Sequence, residues 1–89
     1  MEKNTISDAD LDRRIAGRLK ALRQERGWSL DELAGRAGLS RATLSRLENA
    51  EVSPTASALG KLCGAYGLTM SRLMLMVEDD FAPLVPQQA

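Results

Sequence analysis

Ser29–Asn49 reads SLDELAGRAGLSRATLSRLEN, and the fold turns on this stretch. Ser29 with Glu32 three residues on makes a capping box, so a helix starts there. Leu30, Leu33, Ala34 and Ala37 recur at helical spacing and give that helix an inner face. Gly38 then breaks the chain, Leu39 supplies an apolar plug, and Ser40 caps a second helix over about residues 40–49. Leu44 and Leu47 hold this second helix from beneath, with Thr43 partly inward. Two short helices joined by a turn containing Gly make a helix-turn-helix, in which Ala34 has to be small because the second helix crosses over it.

Moving upstream, Leu11, Ile15, Leu19 and Leu22 form the stripe of a helix that starts near Ser7 or Asp8, with Asp8, Asp10 and Asp12 at its positive end. Gly27 suits a left-handed cap, beneath which Trp28 packs back. Downstream, Glu51-Val-Ser-Pro54 reads as a loop and Thr55 as the start of a fourth helix with Leu59, Leu62, Cys63 and Tyr66 on one face. Gly67 ends it, and Leu68-Thr69 leads into a fifth helix carrying Met70, Leu73, Met74 and Val77. The expected organisation is a disordered N-terminus over 1–7, an all-α bundle of five helices over 8–77, and a tail or linker over 78–89.

The whole chain has 89 residues, 44% of them apolar and only 3% aromatic, enough for one modest core. No apolar run is long enough to span a bilayer, and the opening MEKNTISDAD lacks a signal peptide's apolar core. A soluble cytoplasmic protein with no membrane partner is therefore expected, in keeping with the single Cys63. The absence of His removes any Ser/His or Cys/His dyad. With one Cys and only the solvated run Glu78-Asp79-Asp80, a metal site lacks ligands. Met70, Met74 and Met76 read as packing residues rather than a cofactor box. No enzyme activity, metal or cofactor is expected.

Twelve Lys and Arg balance twelve Asp and Glu, but they are not evenly spread. Residues 13–46 hold nine cations against three acids, for +6, while 1–12 and 47–89 each sum to −3. Nearby charge outweighs total charge at a screening length of about 8–10 Å, so a basic centre can still draw phosphates. On the second helix of the motif Arg41, Ala42, Ser45 and Arg46 are spaced i, i+1, i+4, i+5 and make one outward stripe. In a helix-turn-helix this N-terminal half enters the major groove of double-stranded DNA. Arg41 and Arg46 carry forks that match guanine O6 and N7, Ala42 allows close approach to a thymine methyl, and Thr43 and Ser45 can bond phosphate or base edge. Ser40 can offer its hydroxyl to a phosphate at the positive helix end.

Over Arg14–Val77, IAGRLKALRQERGWSLDELAGRAGLSRATLSRLENAEVSPTASALGKLCGAYGLTMSRLM resembles the phage-repressor and Cro-like group often called XRE. The resemblance implies a compact lambda-repressor-like bundle and a sequence-specific transcriptional regulator. It also implies a buried ion pair between Arg23 and Glu48, which removes Arg23 from the DNA contacts. Two positions depart from the group. Leu30 stands where many members have Gln, leaving phosphate contact near that end to Ser29 or the backbone. Asn49-Ala50 stands where a Gly is usual, with Asn49 able to cap the helix and bond phosphate. The part from Arg41 to Met74 also resembles the DNA-binding module of regulators in which a cupin barrel follows, so a C-terminal effector domain is one expectation. A homodimer is expected, formed by the fifth helix and the tail through Met70, Met74, Leu75, Met76 and Phe81. The alternative is an antitoxin-type protein whose acidic C-terminal segment docks on a partner.

Overall fold

The computed structural model describes residues Asp8–Phe81, and the expectations for 1–7 and 82–89 lie outside it. Five α-helices follow in order: α1 (Asp8–Arg26), α2 (Leu30–Ala37), α3 (Arg41–Glu48), α4 (Ala56–Tyr66) and α5 (Met70–Phe81). No strand occurs among the described residues. The architecture is the expected all-α bundle.

Three of the four connections use one device. Gly27, Gly38 and Gly67 take φ near 70°, a left-handed conformation that only Gly adopts without steric cost. The next residue, Trp28, Leu39 or Leu68, folds back against the core, and the one after it, Ser29, Ser40 or Thr69, caps the following helix. Each cap oxygen accepts the backbone N–H three residues on at 3.0 Å, as does Thr55 before α4. The capping box expected at Ser29 is only half formed. Glu32 takes Arg36 as its partner, at 3.0 Å one turn along α2, instead of reaching back to Ser29.

The fold is held by α1 against α3 and α5, α2 against α3 and α4, and α4 against α5. Leu19, Leu33, Leu44, Leu62, Leu73 and Val77 are the most deeply buried side chains. Tyr66 joins this core, its phenol pushed up to about 12 by burial, and its ring stacks on Trp28 at 5.4 Å.

Leu11, expected on the inner stripe of α1, is at the surface, and so is Met70, which was expected among the residues beyond the core. Leu11 is 38% exposed because the first turn of α1 runs past the packed core, which begins at Ile15 and Ala16. Met70 is 38% exposed at the very start of α5, with Leu73 and Val77 doing the burying. The boundary expected after Val77 also moves, since α5 continues to Phe81. In this added turn Asp80 meets Arg18 of α1, accepting from both its Nε, at 2.8 Å, and its Nη2. The pair ties the acidic end of α5 to α1.

Candidate nucleic-acid interface

The turn from α2 to α3 places the stripe. Leu33 and Ala37 are buried under α2, Leu44 and Leu47 under α3, and Leu30 and Ala34 pack against the same core. With that face committed inward, Arg41, Ala42 and Arg46 are exposed together on the other, and Ser45 is half-buried beside them. Arg46 makes no ion pair among the described residues, so its fork is available to a ligand. Arg41 differs. Its Nε lies 3.1 Å from Asp31 Oδ1 across the turn.

The hydroxyls divide their bonds in a way the sequence did not reveal. Ser40 Oγ accepts from the Thr43 amide at 3.0 Å and donates to Thr43 Oγ1 at 2.8 Å. Ser40's own proton is thus committed to Thr43 rather than to the phosphate expected from the sequence, while Thr43 keeps its own hydroxyl proton to donate. Ser29 Oγ accepts only from the Glu32 amide, leaving its own proton to donate. Asn49 turns its side-chain amide back along the helix, donating to the Ser45 carbonyl at 2.9 Å.

Arg23 and Glu48 lie off this surface. Arg23 Nε and Nη2 each donate to Glu48 at 2.8 Å, a bidentate fork, while Nη1 donates to the Trp28 carbonyl at 3.0 Å. The Glu48 side chain is 5% exposed and that of Arg23 15%, and the bonds to Glu48 raise the Arg23 pKa further. One guanidinium thus ties α1 to the α1–α2 turn and to the end of α3.

Most other cations of the basic centre are also engaged. Arg26 donates to the Tyr66 carbonyl at 2.9 Å and lies over the Trp28 and Tyr66 rings, and Arg36 sits 4.3 Å over Trp28. Arg13 pairs with Asp10. The +6 of residues 13–46 is therefore partly spent within the fold, and on the exposed stripe of α3 Arg46 is left without an ion pair among the described residues.

A five-helix bundle presenting the polar N-terminal half of such a helix is a helix-turn-helix DNA-binding module of the kind transcriptional regulators carry. A family model described as Helix-turn-helix, HTH_3, matches residues 19–73, and the chain belongs to that family. It is 42% identical over 62 residues to the HTH-type transcriptional regulator SutR of Escherichia coli, a match covering 70% of this chain and 35% of SutR. It is 39% identical over 77 residues to the HTH-type transcriptional regulator DdrOP3 of Deinococcus deserti, covering 83% of this chain and 60% of the relative. The crystal structure of an HTH_3 family transcriptional regulator from Vibrio cholerae superposes with a TM-score of 0.73 at 36% identity, over 79% of this chain and 39% of that one. The chain thus spans 35% of SutR and 60% of DdrOP3, less than two thirds of either.

Proposed function

We propose that this chain acts in transcriptional regulation by reading the major groove of double-stranded DNA with α3, as a two-fold homodimer. The observation that carries the reading is the shared exposed face of Arg41, Ala42 and Arg46 on a helix whose opposite face is locked by Leu44, Leu47 and the Arg23–Glu48 fork. A helix held this firmly presents its side chains at a fixed depth, which base readout requires. Thr43, Ser45, Ser29 and Asn49 border the stripe and serve register on the phosphates more than sequence choice, while Ser40, whose proton goes to Thr43, serves as the cap of α3. Two copies would read half-sites about 10 base pairs apart.

Such a protein works in the cytoplasm, and no described helix is long and apolar enough to cross a membrane. The additional length of the relatives leaves room in the whole regulator for a C-terminal effector domain or a partner-binding segment.

Gel shift with mixed promoter fragments at two salt concentrations tests the reading. Binding should appear at low salt and weaken as salt rises, because phosphate contacts release counterions. Arg41→Ala and Arg46→Ala should each lose about 1–3 kcal/mol of discrimination between sites. Unchanged site preference in both variants would remove the assigned roles.

A further inference from the structure

Two acids share the first turn of α2, and they are used differently. Glu32 pairs within its own helix, with Arg36. Asp31 instead reaches across the turn to Arg41, the first residue of α3, where its Oδ1 lies 3.1 Å from Nε. Both side chains of that pair are exposed, on the side of the motif that carries the reading stripe.

We infer that Asp31 is a positioning residue for base recognition, an ion-pair partner on the Nε side of Arg41 that leaves its two terminal amino groups as the fork presented to a guanine. This rests on the reading of α3 as the groove-entering helix. Arg41 is a long side chain with many rotamers, and each one removed before docking is one less to freeze on the base. In open water such a pair is weak. Inside a groove from which the protein has displaced water the attraction is less screened, so the pair acts where the base is read. The same carboxylate stands beside the path of the phosphates, and its negative charge opposes binding to any sequence. Asp31 therefore exchanges general affinity for discrimination, as a repulsive element in a specific interface does. A role confined to favouring the positive end of the α2 dipole predicts a change in melting temperature and no change in base preference.

The test selects bound duplexes from a randomised pool spanning about two helical turns. It uses the full chain as wild type, Asp31→Ala, Asp31→Asn, Arg41→Ala and the Asp31→Ala/Arg41→Ala double variant. Affinity for a duplex lacking the enriched motif, and the melting temperature, are measured alongside. The guanine preference that Arg41→Ala abolishes should fall roughly 3- to 10-fold in Asp31→Ala, at that base alone. Affinity for the unrelated duplex should rise, and Asp31→Asn, which keeps an oxygen without the charge, should fall between the two. In the Arg41→Ala background the same change at Asp31 should leave base preference unaltered. Full guanine preference in Asp31→Ala, or an equal loss in both backgrounds, overturns the positioning role while the reading of Arg41 stands. If Arg41→Ala alters no base preference, the reading itself fails and this inference with it.

Discussion

Ala50 holds φ 57°, the one described non-glycine residue with a left-handed backbone, just past α3. Its amide bonds the Leu47 carbonyl at 3.2 Å and the Glu51 amide bonds the Arg46 carbonyl at 2.8 Å, the pair of bonds that closes a Schellman turn. The sequence marked this as a place where related chains carry Gly, and assigned the capping to Asn49. Asn49 does end the helix, but the strained position is one residue later. The left-handed conformation costs a residue with a Cβ about 1–2 kcal/mol, and Gly returns part of that gain as unfolded-chain entropy. Ala50→Gly should therefore raise stability by about 0.5–1 kcal/mol in urea unfolding, with an unchanged m-value. An unchanged or lower midpoint would show that the turn is not strained. At this same scale the pairing of Asp31 with Arg41 was illegible, since residues that meet across a turn leave no periodic mark on the sequence.

At the scale of the helices, local chemistry wrote most of what is observed. A Gly, then an apolar residue, then Ser or Thr stands at three of the four connections, and each does there what its side chain allows. Lengths were less secure. α5 runs past Val77 to Phe81, where Asp80 meets Arg18, a partner 62 residues away in sequence that no local pattern announces. The Arg23–Glu48 fork also belongs to this scale, because it joins α1 to α3 and secures the Trp28 carbonyl between them. Removing one partner of a pair this enclosed leaves the other charge desolvated without compensation. Glu48→Ala should cost about 2–4 kcal/mol of unfolding free energy. The double change Arg23→Met/Glu48→Leu should cost less than that single one, since two apolar groups leave no orphaned charge. A double variant no more stable than Glu48→Ala would show that packing, not charge, sets the loss.

For the whole molecule the open matter is assembly. Leu75 is 51% exposed on α5, with Met70 exposed a little over a turn before it, while Met74 and Met76 are half-buried against the core. A dimer through α5 predicts that Leu75→Lys shifts sedimentation equilibrium toward monomer by at least about tenfold in Kd, about 1.4 kcal/mol. Helix content should stay the same, because Leu75 lies outside the core. A dimer unaffected by this change would place the interface elsewhere. By itself the sequence determined the number of helices, their caps and the motif, since helical periodicity, Gly turns and Ser or Thr caps act within a few residues of where they are written. It also determined which face of α3 looks outward, because Leu44 and Leu47 leave only one choice. The tertiary structure alone decided which arginines remain available. Arg18, Arg23, Arg26 and Arg36 find partners in the fold, Arg41 meets Asp31, and Arg46 makes no ion pair among the described residues. Charge is counted along a chain but paired in space, and only packing brings the acids, carbonyls and rings to the cations they engage.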